Sequence, residues 1–272
     1  MDEQEDKAKY VLPFVRCHIK NLLLAGKEEK SLTKCLLAMV EELEKNTNAS
    51  ELQLSVFDGA TPIFNFHPVS GRHRLLTSSV PEAIQELEWA NEELKRRYEV
   101  LSKVECANIK DYNKKHAGAA MPRILFIIHE LGELMEADGG STERLLVKLL
   151  ARARAVGFYV ICTTTRIRSD VLTSKILTSL DERLVFRTDS RKESELLGLE
   201  GTPLPKYARP YRGNPATEIG GIAAEHEKHG DATRLAPNEA IFIYYKTYIT
   251  GFNKGRFITE TERREEIIDI EK

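Results

Sequence analysis

The chain has 272 residues, with 40 Lys and Arg against 42 Asp and Glu, for a formal net charge of −2. At 42% hydrophobic and 30% charged it has an ordinary globular composition, long enough for a sizeable core. The charge balance excludes a broad basic surface as the main nucleic-acid footprint, though not a local patch or the positive lumen of a ring.

No apolar run approaches the ~20 residues needed to span a bilayer, and the acidic start MDEQEDKAKY is no signal peptide. Cys17, Cys35, Cys106 and Cys162 lack CxxC spacing and sit in apolar surroundings, which fits reduced, buried thiols rather than a disulfide frame or a zinc site. The expectation is a cytoplasmic protein, associated with a membrane only through another segment or subunit.

Residues 1–18 read as an N-terminal leader. Ile19 to Ala25 is the first candidate buried strand. Gly26-Lys27-Glu28-Glu29-Lys30-Ser31 follows, and then an amphipathic helix with Leu32, Cys35, Leu36, Met39, Val40 and Leu43 at spacings of three and four. Strand, Gly-bearing turn, Lys-Ser and helix is the context of a phosphate-binding loop, whose backbone amides, Lys and helix N-terminus meet phosphate while the hydroxyl ligates magnesium. The spacing is short, no Gly precedes Lys30, and Glu28 and Glu29 would repel a triphosphate. An ordinary strand–helix turn therefore answers to the pattern as well, and better.

Leu52 to Phe57 alternates and ends at Asp58-Gly59, a second strand. Residues 59–80 read as a loop-rich crossover, and Pro81 opens a helix to about Ser102. Cys106 to His116 is a shorter helix or loop. Ile124 to Ile128 is a continuous apolar run, a strand buried on both faces, that leads straight into His129-Glu130. In open α/β sheets the C-terminal strand end is where ligands sit. A helix is expected over Ser141–Val156, a strand over Phe158–Thr163, a helix over Val171–Leu180 and a strand over Arg183–Arg187. Residues 198–238 read as an insertion loop; its Glu225-His226-Glu227-Lys228-His229 is a charge run, with too few ligands for a metal. Ile241–Tyr245 and Gly255–Ile258 read as an antiparallel edge pair, and Glu262–Glu271 as a closing helix. The alternation predicts an α/β fold: a mostly parallel sheet, helices on both faces, and an antiparallel C-terminal edge.

Several stretches together resemble the FtsK/SpoIIIE-type DNA translocase motor domain. LEWANEELKRRYEVLSKVECANIKDYNKK resembles its helical connection through Arg96, Arg97, Tyr98, Asn108, Tyr112 and Asn113. ARAVGFYVICTTTRIRSDVLTSKI follows its helix end and next strand through Arg154, Gly157, Thr164, Arg166, Asp170, Val171 and Thr173. The resemblance covers residues 19–272 and implies a RecA-like, three-layer P-loop ATPase fold, a hexameric ring or tandem motor domains, ATP and Mg²⁺ as cofactors, and double-stranded DNA as a partner. It also assigns roles. Gly26, Lys30, Ser31, Asp58, His129 and Thr165 fall at nucleotide-binding positions, Glu130 at that of the catalytic glutamate, and Arg154 and Arg166 become candidate interface or sensor arginines. The departures fall on the chemistry. The phosphate loop is shortened, the magnesium-side aspartate is His129, and the γ-phosphate-sensing glutamine is Thr165. Since phosphoryl transfer rests on positioning and charge stabilisation, these changes point to a pseudo-ATPase acting as a structural or regulatory module. The alternative is an active ATP-driven translocase with a non-standard loop.

Overall fold

The computed structural model describes residues 21–59, 61–64, 73–180, 182–199, 232, 235, 239–253 and 256–269. Residues 1–18, Cys17 among them, the run Glu225–His229 and most of the segment 198–238 lie outside the described residues.

One eight-stranded sheet organises the chain, in the order β3-β2-β4-β5-β1-β6-β7-β8. The parallel strands are β1 (Leu22–Ala25), β2 (Leu52–Asp58), β3 (His73–Thr77), β4 (Arg123–His129), β5 (Phe158–Thr164) and β6 (Glu182–Val185). β7 (Glu239–Asn253) and β8 (Arg256–Asp269) form an antiparallel pair on the β6 edge.

Alternation along each strand splits the core into two. Phe126, Ile128, Phe158 and Val160 face a layer containing α2 (Val80–Lys103), α4 (Leu131–Leu150) and α5 (Ser174–Ser179). Leu22, Leu24, Leu125 and Ile127 face α1 (Glu29–Asn46), which contributes Leu32, Leu36, Met39, Val40 and Leu43. The central strands are apolar on both sides because helices cover both faces. Cys35, Cys106 and Cys162 are buried free thiols; burial pushes Cys35 up to about 12 and raises Cys162 as well. No helix among the described residues is long and apolar enough to cross a membrane.

The N-terminal edge of the sheet is held by α2 and α3 (Ile109–Lys115). Arg97, 3% exposed, donates to Glu93 and to the carbonyls of Pro122 and Val156 at 2.8–2.9 Å, with Phe158 beneath it. Tyr98 Oη donates to Arg152 O at 2.9 Å. Asn108 caps α3 through Asp111 N–H, and Asn113 exchanges two 2.9 Å bonds with the Met121 backbone. Gly157 has φ +82, and a Cβ there would meet Ile109 at 2.8 Å, so this turn requires glycine.

Several elements differ from the sequence reading, an unread helix over Arg191–Leu196 among them. A short edge strand, β3, lies within the Pro- and Gly-rich stretch, where its five residues are too few to show a period. The helix expected from Ser141 begins at Leu131 and breaks at Asp138 (φ −153, ψ 71), whose carboxylate recaps the second half through Ser141 N–H. Arg154–Val156 forms a separate 3-10 turn. The closing helix over Glu262–Glu271 is instead β8, paired residue by residue with β7 as far as Asp269. Helix-compatible charge spacing is overridden there by long-range pairing, with Ile268 packed against the α1-side core.

Burial alone would raise the Glu93 carboxyl, but hydrogen bonds from Arg96 and Arg97 outweigh it and hold the group below its ordinary 4.5. A depressed folded-state value adds stability that is complete above the unfolded value and lost as pH falls through the folded one. Glu93→Gln, which leaves Arg97 buried without its counter-charge, is expected to destabilise the fold by about 3 kcal/mol at neutral pH. Urea titrations of both proteins across pH are expected to show that gap closing below about 4.5.

Candidate functional site

The C-terminal ends of β1, β4 and β5 bring together most of the residues singled out in the sequence. β5 lies between β1, which leads into Gly26 to Ser31, and β4, which leads into Glu130.

The turn after β1 is three residues long, Gly26 to Glu28, and α1 starts at Glu29. It continues the sheet ladders rather than leaving them. Gly26 N–H donates to Thr164 O at 3.3 Å, Phe186 N–H to Ala25 O at 2.8 Å and Lys27 N–H to Arg187 O at 2.7 Å. Side chains add two ion pairs to the segment after β6, Glu28 with Arg187 and Lys27 with Asp189. A Cβ on Gly26 would lie 2.5 Å from Phe186 Cβ, so the glycine is required by strand packing. Lys30 is exposed in the first turn of α1 and Ser31 beside it is buried. No side chain caps the helix at Glu28.

Glu130 makes the turn from β4 into α4 in a single residue. Its backbone is left-handed (φ 66, ψ 78), a conformation that costs a non-glycine residue ~1–2 kcal/mol. The side chain is 5% exposed and accepts four hydrogen bonds. Oε1 takes Thr164 Oγ1 at 2.6 Å and Gly132 N–H at 3.2 Å; Oε2 takes Thr165 N–H and Thr165 Oγ1, both at 2.8 Å. Its own N–H donates to Thr163 Oγ1 at 3.0 Å. Four donors fill the acceptor positions of one carboxylate.

His129 and Asp58 are partners across the β2–β4 ladder, each with a side chain 2% exposed. Asp58 Oδ2 accepts Phe64 N–H at 2.8 Å. Asp58 Oδ1 and His129 Nδ1 lie 3.2 Å apart at angles that make no hydrogen bond, so both atoms are buried without a partner. No cluster of three or more His, Cys, Asp or Glu suited to a metal occurs among the described residues.

The two arginines part company. Arg166 lies across the first turns of α4, paired with Glu133 and Glu136, and a Cβ on Gly132 would meet its Cδ at 2.6 Å. Arg154 is exposed ahead of β5, at the opposite edge of the sheet. Thr163, Thr164, Arg187 and Asp189 complete the site. Sequence reasoning gave them no role, because each acts through a partner far away in the chain.

A central strand standing between the strand–turn–helix of Lys30-Ser31 and the strand that leads into Glu130 is the arrangement of a RecA-like fold. The chain belongs to the FtsK/SpoIIIE family, whose profile matches residues 5–169.

The DNA translocase FtsK of Treponema pallidum is 30% identical over 222 residues, 76% of this chain and 28% of that protein. That of Leptospira interrogans serogroup Icterohaemorrhagiae serovar copenhageni is 26% identical over 187 residues, 66% of this chain and 20% of that protein. The chain thus spans about a quarter of the length of these relatives. Among solved structures, the cytoplasmic domain of the Thermomonospora curvata type VII secretion ATPase EccC superposes with a TM-score of 0.59 at 18% identity, over 88% of this chain and 25% of that one. The pCW3 conjugation coupling protein TcpA, in a monomer form with ATPγS, gives 0.55 at 23% identity, over 66% of this chain and 52% of that one. At these identities the likeness is one of fold.

Glu130→Ala is expected to lower stability by about 2–4 kcal/mol, since it strands the donors of Gly132, Thr164 and Thr165. Glu130→Gly loses the same bonds but relieves the left-handed backbone, and so should be more stable than the alanine variant by ~1 kcal/mol. Paired chemical denaturation curves check both the size and the order.

Proposed function

We propose that this chain is an FtsK/SpoIIIE-type motor-fold module whose nucleotide site does not support efficient ATP turnover. It serves as a structural or regulatory part of a DNA-translocation or secretion assembly, in a ring or a tandem array with other motor domains and in the presence of double-stranded DNA. The observation that carries this reading is the closed turn after β1. Its Gly26 and Lys27 amides are spent on the carbonyls of Thr164 and Arg187, and the Glu28 carboxylate is paired with Arg187.

ATP and Mg²⁺ do not fit such residues. The Gly26 and Lys27 amides are already taken, which leaves a phosphate only the uncapped first turn of α1; Glu28 repels one, and an imidazole at position 129 brings no acceptor-only charge to the metal side. On this reading Gly26, Lys30, Ser31, Asp58, His129 and Thr165 are parts of a nucleotide site that now serve the fold, and Glu130 is a clamp.

One observation favours the alternative of an active translocase. Lys30 is exposed at the N-terminus of α1, ahead of Ser31, while Glu130 keeps its place in the chain. Thermal unfolding in millimolar ATP–Mg²⁺, with phosphate release followed in the presence and absence of duplex DNA, separates the two. Our reading expects an unchanged Tm and no DNA-stimulated release. A ligand at 100-fold over Kd would add about 2.7 kcal/mol, roughly 5–10 °C for a domain of this size. Such a rise, with release abolished by Glu130→Gln, establishes the alternative.

A further inference from the structure

The ends of β6, β1, β5 and β4 are joined by one unbroken run of polar contacts. Beyond β6, Asp189 holds Lys27 and Arg187 holds Glu28. The Arg187 carbonyl receives the Lys27 amide, and the Thr164 carbonyl receives the Gly26 amide. The Thr164 hydroxyl then donates to Glu130 at 2.6 Å while accepting Arg166 N–H at 3.0 Å. Glu130 passes the chain on to Thr165 and to Gly132 in α4.

Two carboxylates are central to this run. Each bridges separate strands at the end of the sheet where an α/β fold receives an anionic ligand. Each meets donors suited to a phosphate oxygen: a guanidinium for Glu28, and two hydroxyls with two amides for Glu130. Gly132 makes room for Glu130. A Cβ on Gly132 would come within 2.8 Å of Glu130 Oε1. The left-handed backbone of Glu130 is unfavourable by itself and needs these bonds to hold it.

We propose that Glu28, in the turn where a phosphate would sit, stands in for a phosphate of a nucleotide, and that the Glu130 clamp continues the run, so that the end of the sheet is held permanently in its ligand-closed arrangement. The module then presents the same surface to a neighbouring motor domain whatever the nucleotide supply. This inference rests on the reading of the site given above, and the two fail in different ways.

Hydrogen exchange of the whole chain, read at single amides, tests it. The amides of Gly26, Lys27 and Thr165 are expected to be protected without ligand, at rates that ATP–Mg²⁺ leaves unchanged. Glu28→Gln and Arg187→Met should each speed exchange at Gly26 and Lys27 by about tenfold, and the double variant by little more, because the two residues act as one latch. Arg187→Lys, which keeps the charge, should recover most of the protection. Unchanged exchange in α2 controls for folding. Wild-type amides that exchange as in an open turn, variants without effect, or protection that appears only with ATP–Mg²⁺ each overturn the lock. Calorimetric binding of ATP that leaves the exchange rates untouched instead sinks the reading of the site and spares the lock.

Discussion

The corner at Glu130 governs the geometry of the whole C-terminal end of the sheet. β4 passes into α4 without a loop, and only a left-handed residue can turn the chain that sharply. Glycine would adopt that conformation freely, yet the position holds a glutamate. The unfavourable backbone is offset by a buried carboxylate with its acceptor positions filled, three from Thr164 and Thr165 at the end of β5 and one from Gly132. The spacing of β4 and β5, the entry angle of α4 and the placement of Arg166 over Gly132 all follow from that one clamp.

The same end of the sheet contains a less settled pair. His129 and Asp58 approach to 3.2 Å with no hydrogen bond, although buried polar atoms are nearly always paired. A carboxylate in place of His129 would set two anions against each other in a dry site. The imidazole avoids that repulsion beside Asp58. Neutralising one side of this pair suits an end of the sheet where Glu28 and Glu130 already supply negative charge.

How much of this could be read from the sequence depends on the range of the interactions. The central strands were legible because both faces are covered and their runs are continuously apolar, as in Ile124 to Ile128. The amphipathic face of α1 was legible in the same way. Arg97, Tyr98 and Asn113 could be matched to a family, but their work could not be seen: each reaches a backbone carbonyl or amide in another segment. β8 was misread because its charges also suit a helix and only its partner strand decides the matter. The clamp was invisible for a like reason. Thr164 was legible only as a family match and Thr165 only as a nucleotide position, and nothing local shows that both aim at Glu130, 34 and 35 residues earlier.

The division of the molecule into a scaffold end and a site end explains why family likeness and altered chemistry coexist. The bonds that fix α2 and α3 gather at the N-terminal edge, and the nucleotide positions gather at the C-terminal edge. A seven-residue strand such as β5 separates them by roughly 20 Å, at about 3.3 Å per residue. Interactions that far apart with no shared partner contribute nearly independently to stability. Residues at the site end can therefore change from ligand binding to self-pairing without loosening Arg97, Asn113 or Gly157. At the site end the pairing is local, Glu28 with Arg187 and Glu130 with Thr164 and Thr165.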